Sequence, residues 1–398
     1  MPEQVVKQRS RGFICTNAHP AGCAGNVRRQ IEAITSRFPG QASGPRNVLV
    51  IGSSTGYGLA SRIAAGWGFG AKTVGVFFER PPDGRKTATA GYYNTAAFDA
   101  EARQAGLYAG HINGDAFSDE VKQQALEAVR RGMGAVDLII YSLASPRRIH
   151  PRSGEIFNSV LKPIGSSYTA KTIDLGNDKV GEVTLDRATP EETAATVAVM
   201  GGEDWGMWID LLLEQGLLAS GARTLAYSYI GPESTWPIYR DGTIGAAKNH
   251  LTETCRRLAE RLQTKVGGNA WISVNKAVVT QASAAIPVVP LYISLLFRVM
   301  KEKGLHEGCI EQMRRLTMDY LTEGKEVQTD ANGMIRLDDL EMREEVQAAV
   351  RELWPRVTTE NLDALSDIAG FRRDFSQLFG FAVEGVDYEQ PVETEIRF

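Results

Sequence analysis

NVLVIGSSTGYG, residues 47–58, decides the fold class. The apolar run 47–52 ends in glycine and reads as a strand buried on both faces. Gly52, Gly56 and Gly58 then punctuate Ser53, Ser54, Thr55 and Tyr57, and a helix is predicted over 58–67. Glycines let a backbone turn tightly and come close to a pyrophosphate. The helix N-terminus adds free N–H groups and a partial positive charge for that anion. Glycines also mark ordinary tight turns. Here they lie between a strand and a helix at the start of a βαβ unit, the context that a dinucleotide site requires.

The pattern continues outward. A second strand is read at 72–78 (KTVGVFF), a helix at 95–104 and a third strand at 107–112. A helix at 118–130 has Ser118 as its N-cap, and a fourth strand follows at 136–141 (VDLIIY). This rhythm predicts an α/β fold, a Rossmann-type doubly wound parallel sheet with helices on both faces. It pauses at 146–189, which reads as an inserted hairpin or lid. Thr189-Pro190-Glu191-Glu192 starts a helix that runs to about 213, with a break at Gly201-Gly202. A fifth strand (222–230), a helix (243–263), a sixth strand (271–279) and a helix (291–303) follow. The last 95 residues read as helices and short connections. The expectation is one enlarged domain over 1–398. It has an N-terminal extension (1–45), a dinucleotide-binding core (46–145 and 222–300), an insert or lid with a helix (146–221) and a C-terminal helical extension (301–398).

Composition excludes several classes. The chain has 398 residues, 43% hydrophobic and 23% charged, the usual globular mix. Its 44 basic and 48 acidic residues are interspersed, with a net charge of -4, and no basic block points to nucleic acid. Cys15, Cys23, Cys255 and Cys309 are scattered, which fits a reducing cytoplasm. Cys15, His19 and Cys23 are evenly spaced but lack a fourth ligand nearby, so no metal is expected. No apolar run follows the N-terminal charges, so no secretory signal is expected. Residues 277–297 are 21 uncharged residues, but Thr280, Gln281, Ser283, Ser294, Pro287 and Pro290 make them a buried strand, loop and helix, not a membrane span.

The later strand ends extend the cofactor path. Phe78-Glu79 closes the second strand, and Glu79 lies 21 residues after Gly58. An acid there accepts bonds from the adenosine ribose hydroxyls and repels a 2′-phosphate, favouring NADH over NADPH. Arg80, Arg85 and Lys86 supply the competing reading, a site for that phosphate, and a solvated Glu at a strand end is a third. Asp115-Ala116 follows the third strand, where an Asp can bond the adenine amino group. Leu143 and Ala144, within 142–146, lie where a nicotinamide ribose would pass.

The fifth strand carries Tyr227 and Tyr229. Tyr239 follows, and Lys248 stands nine residues beyond it. Nine residues on one helix turn through about 900°, which would leave the two side chains on opposite faces. Tyr239 is therefore predicted to precede a helix that starts at 241–243.

The spacing of Tyr239, eight residues, then Lys248 is where a family resemblance enters. With it stand RGFIC (11–15) and His19-Pro20, the turn at 52–58, 141–146, VVTQAS (278–283) and GFRRDF (370–375). Over essentially the whole chain the sequence resembles the FabV/trans-2-enoyl-CoA reductase family, enlarged enoyl-thioester reductases of the short-chain dehydrogenase type. The resemblance implies NADH-dependent reduction of a trans-2-enoyl-acyl carrier protein or enoyl-CoA in fatty-acid synthesis, by a cytoplasmic monomer. It implies Tyr239 as the donor to the thioester oxygen and Lys248 on the nicotinamide ribose. Tyr229 is a second candidate for the thioester carbonyl, and Val278, Val279 and Thr280 would meet the nicotinamide carboxamide. The run 282–296 and the helix around Trp205 and Trp208 are candidates to line an acyl slot, with core packing the equal alternative. Two other functions stay open. One is a ketoacyl or alcohol dehydrogenase, which would want a serine one strand before the tyrosine, where Ser142 stands only at the strand end. The other is a non-catalytic NADH-binding sensor.

Overall fold

Seven parallel strands make the sheet that positions everything else. In chain order they are β1 (Asn47–Ile51), β2 (Lys72–Phe77), β3 (Ala109–Asn113), β4 (Val136–Tyr141), β5 (Leu218–Ser228), β6 (Asn269–Val274) and β7 (Ile335–Arg336). Their order across the sheet is β7-β6-β5-β4-β1-β2-β3. The computed structural model describes residues 3–37 and 40–398. From β1 the chain moves outward through β2 and β3, then returns to β4 on the other side of β1. That reversal opens a crevice beyond the C-terminal ends of β1 and β4, where sheets of this kind bind ligands.

Alternation along the strands explains the two-sided burial. Val48, Val50, Leu138 and Ile140 face the helix Gly56–Phe69. Leu49, Ile51, Val74 and Ile139 face the other side, in a cluster with residues of the helices Asp119–Gly132, Glu203–Glu214 and Thr243–Val266. Ser118 caps its helix as expected, accepting from the Val121 N–H at 3.2 Å. The helix after Thr189 runs Pro190–Met200, has a capping box and stops at Gly201.

Two readings change. The segment 301–398 is not wholly helical, because β7 pairs with β6 at Ser273↔Ile335 and Val274↔Arg336. Two residues are too few to carry a period. The sixth strand ends at Val274, not 279. Val278 is buried, and Ala277 and Val279 are buried in a separate cluster, a reason for apolar residues that periodicity cannot distinguish from strand pairing.

The insert resolves into two hairpins, Arg147–Ile149 with Ile156–Asn158 and Tyr168–Asp174 with Lys179–Leu185. The second packs Tyr168, Ala170 and Ile173 against the cluster that holds Tyr239 and the helix Val289–Glu302. It therefore covers the side of the crevice where Tyr239 lies.

Candidate active site

The glycine turn is held by close backbone contacts. Gly52 has φ +84°, a conformation that L side chains rarely adopt. A Cβ on Gly58 would stand 1.8 Å from the Gly52 carbonyl oxygen. Ser53 turns inward, its Oγ donating to the Val76 carbonyl at 3.2 Å. Thr55 is the N-cap of the Gly56–Phe69 helix and makes no side-chain capping bond, so the first-turn N–H groups stay open to an anion. Thr280 covers this point, with its Cγ2 3.7 Å from where a Cβ on Gly56 would lie. This cradle fits the pyrophosphate of a dinucleotide. A cavity of about 350 Å³ adjoins it, lined in part by Thr55, Gly56, Val278 and Val279. The Tyr57 side chain is not left for a ligand. Its hydroxyl lies 2.8 Å from the Lys276 carbonyl and 2.9 Å from Gln312 Oε1, beneath the turn.

Glu79 stands at the end of β2, where the ribose reading requires it. Ser54 Oγ donates to Glu79 Oε1 at 2.7 Å, which ties the carboxylate to the glycine turn. Burial raises the Glu79 pKa, and bonds from Thr89 and Ser54 oppose that rise. Asn113 holds its backbone from β3, with both bonds at 2.9 Å. Arg80 donates to the Thr87 carbonyl, and Arg85 and Lys86 point to solvent. Phe78 is 76% exposed beside this site. Asp115 Oδ1 accepts from the Phe117 N–H at 3.0 Å. The buried Lys122 fixes the same loop, donating to the Ala116 and Phe117 carbonyls and to Asp204. Leu143 and Ala144 follow β4 at the mouth of the crevice, Leu143 half-buried and Ala144 exposed.

Tyr239 and Lys248 are brought together by a break in the chain. Tyr239 ends a separate short helix, Trp236–Tyr239, and Gly242 caps the next, Thr243–Val266. Gly242 lies where the insert backbone crosses. A Cβ there would stand 2.6 Å from the Ile238 oxygen and 2.8 Å from the Lys162 oxygen. The break restores the convergence that one regular helix would forbid. Lys248 Nζ lies 5.8 Å from the Tyr239 ring centroid and donates to Ser228 Oγ and the Tyr229 carbonyl. Burial lowers the Lys248 pKa to about 7. Tyr239 is 7% exposed, and its ring meets Tyr229 edge-on at 4.7 Å. Its hydroxyl has no hydrogen-bond partner among the described residues. Burial, and then the charge of Glu341, raise the Tyr239 pKa, keeping the phenol protonated as a donor.

Two expectations meet competing contacts. The Tyr229 hydroxyl gives its one hydrogen to Glu341 Oε1 at 2.9 Å, so the thioester role assigned to it has a rival acceptor. Trp205 and Trp208 are fully buried between the sheet and the helix Thr243–Val266, in a cluster apart from that of Tyr239, and Trp205 Nε1 donates to Thr224. They cannot line a slot beside Tyr239. Ala284, Ile286, Val288 and Leu291, from the run 282–296, share the cluster of Tyr239.

Sequence reading missed Glu341. It lies among Asp338, Asp339, Glu344 and Glu345, a stretch that resembles a solvated face. It is nonetheless wholly buried. No local signal separates it from its neighbours. Ser142 shows the reverse. Its Oγ lies 3.3 Å from where a Gly58 Cβ would be, so it faces the glycine turn.

A doubly wound parallel sheet, a glycine cradle at its switch point and a Tyr–Lys pair beyond β5 define a nicotinamide-dependent reductase of the short-chain dehydrogenase type. Comparison with known proteins narrows this class. Residues 86–322 match the model of the trans-2-enoyl-CoA reductase catalytic region, and 5–84 match that of the NAD(P)H binding domain of trans-2-enoyl-CoA reductase. The chain is 57% identical over 392 residues to the enoyl-[acyl-carrier-protein] reductase [NADH] of Coxiella burnetii, covering 98% of this chain and 96% of that one. It is 55% identical to the enzyme of the same name from Opitutus terrae, over 98% and 99% of the two chains. The trans-2-enoyl-CoA reductase of Treponema denticola, solved with NAD, superposes with a TM-score of 0.94 at 50% identity, over 99% and 100% of the two chains. That of Clostridium acetobutulicum, solved with NADH, gives 0.95 at 40%, over 98% of each. The protein belongs to the trans-2-enoyl-CoA reductase family.

Residues 329–392 match a third model, described as an enoyl reductase FAD binding domain. Here this segment contributes β7 and the helices Glu344–Arg356, Leu362–Leu365 and Ile368–Gln377. Val346, Val350, Phe371 and Phe375 bury these helices in the cluster of the Val289–Glu302 helix. Among the described residues, the strand, glycine turn and helix of 47–69 do not recur there. The segment does not fit a flavin dinucleotide, and no step below runs through one.

Proposed function

We propose that the protein reduces the α,β double bond of a trans-2-enoyl thioester, carried on acyl carrier protein or coenzyme A, with NADH in fatty-acid synthesis. The observation that carries this reading is the pair of Tyr239, with its hydroxyl unpartnered, and Lys248, set against β5 at the crevice. Bound NADH supplies the hydride for the β-carbon. As negative charge builds on the thioester oxygen, the Tyr239 O–H donates to it, the preorganised stabilisation that such a transition state needs, and the Tyr239 proton, replaced from solvent, completes the reduction at the α-carbon. Lys248 holds the nicotinamide ribose hydroxyls, and Val278, Val279 and Thr280 face the carboxamide. The thioester sits between the Tyr239 ring and the 282–296 segment, under the second hairpin of the insert.

Glu79 sets the preference for NADH. Its carboxylate is already held by Ser54 beside the glycine turn, where it would meet the ribose hydroxyls and repel a 2′-phosphate. The ketoacyl alternative wants a serine near Tyr239, whereas Ser142 faces Gly58. The four free cysteines suit the cytoplasm, and β7 with the C-terminal helices covers the β6 edge, in keeping with a monomer.

The test is nicotinamide oxidation with crotonyl-CoA, run with NADH and NADPH in parallel and repeated with crotonyl-acyl carrier protein. Turnover with NADH alone is expected. Turnover of a 3-ketoacyl thioester and of neither enoyl substrate would move the reading to the ketoacyl class. NADH binding without turnover of any of them would leave a sensor.

A further inference from the structure

We propose that Glu341, supplied by the C-terminal segment, is a positioning residue for the reduction: it locks Tyr229 against Tyr239 and ties that wall to the loop expected to hold the nicotinamide. The inference rests on the role given to Tyr239 above. One wholly buried carboxylate collects three donors from three elements. Oε1 accepts from the Tyr229 hydroxyl at the end of β5 (2.9 Å) and from the Tyr292 hydroxyl on the Val289–Glu302 helix (2.7 Å). Oε2 accepts from the Ala277 N–H (2.7 Å), one residue before Val278-Val279-Thr280. The Glu341 backbone carbonyl accepts from Gln347, whose amide also lies 3.2 Å from the Tyr292 hydroxyl.

A buried carboxylate is costly unless its lone pairs are satisfied, so each of these donors lowers the cost of keeping it there. The groups that face it are Tyr229, Tyr292 and Lys276. Those that face Tyr239 are Tyr229, Lys248 and, through its charge, Glu341. Tyr229 is thus fixed at one end by Glu341, while its ring sets the tilt of Tyr239. The geometry of the donor and the height of the nicotinamide loop are joined through a single side chain. The negative charge also opposes tyrosinate formation at Tyr239.

Glu341→Gln keeps the shape but not the charge, and its single oxygen cannot accept on both sides. With NADH and crotonyl-CoA, kcat is expected to fall on the order of tenfold to a hundredfold, the cost of misplacing a reacting group. KM for NADH should stay within about twofold, since ground-state cofactor binding is not removed. Tyr229→Phe should reproduce the kcat loss, and the double variant should lose no more than the worse single one, because both act through one contact. Tyr292→Phe removes a donor from the same carboxylate but leaves the wall intact, and its loss should be clearly smaller. If Glu341→Gln does not fold, the Tyr229→Phe and Tyr292→Phe comparison decides. Additive losses, or equal losses in the two Phe variants, would overturn the proposal. Tyr239→Phe separates the two levels. If it retains turnover, the donor assignment fails and this inference with it. If it is inactive while Glu341→Gln is unimpaired, only this inference fails.

Discussion

At the proposed cofactor end of the crevice, twelve consecutive residues, 47–58, make the strand, the turn and the helix start that fit a pyrophosphate. At the reducing end, Tyr229 and Glu341 meet across 112 residues of chain, and Tyr239 and Lys248 converge only because the chain breaks at Gly242. The first site is built from backbone N–H groups and the absence of Cβ atoms. The second is built from side-chain tips on separate elements. A backbone site follows from local sequence and fails through steric intrusion. A side-chain site follows from packing and fails through loss of a single polar atom.

The sharpest way to break this contrast is Tyr239→Phe. Loss of one oxygen should lower kcat by about 10²–10⁴ and leave NADH affinity nearly unchanged. Lost NADH binding, measured by fluorescence titration, would show that the two ends are not separable at this residue. Next comes Gly58→Ala at the other end. The added carbon meets the Gly52 backbone oxygen, so the turn must open. A cost of about 1–3 kcal/mol in folding stability is expected, together with weakened NADH binding. A variant with the parent's melting temperature and NADH affinity would mean the turn has slack that the geometry denies.

Glu79→Ala should have a smaller effect, narrowing the NADH-over-NADPH ratio of kcat/KM by about tenfold, roughly 1.4 kcal/mol. An unchanged ratio would pass selectivity to Arg80, Arg85 and Lys86. A further effect, on stability alone, concerns Lys248. A lysine is near 10.4 when unfolded, whereas this one is lowered to about 7 by burial. Between those values the unfolded chain binds more protons, so this group makes the apo-protein more stable as pH rises through that window. Lys248→Met should flatten the slope in denaturant titrations at several pH values. A slope equal to the parent's would place the ammonium in water.

How much could be read beforehand follows the same division. β1, β2 and β4 stand where their apolar runs put them, because a strand buried on both faces must be apolar throughout. The separation of Tyr239 from the Lys248 helix was readable too, since the helical repeat leaves no other way for the two to converge. β7 escaped notice because two residues have no period. The inward turn of Tyr57 escaped because a tyrosine beside a glycine turn can face either way, and Gln312 from a distant segment decides it. For Trp205 and Trp208 the core-packing alternative is the one that holds. An apolar helix announces that it is buried, not which cluster receives it.

Sequence by itself determined six of the seven strands, their direction, the glycine turn, the acid beyond β2 and the need for a break before Lys248, since periodicity, steric limits and helix geometry are local. Tertiary structure alone decided that the insert covers the Tyr239 side and that, of five acids, Asp338 and Glu341 are buried. It also decided that Tyr229 turns its hydroxyl to Glu341. Those outcomes depend on which distant donors and apolar surfaces arrive at the same point, and that sum is made only when the whole chain has packed.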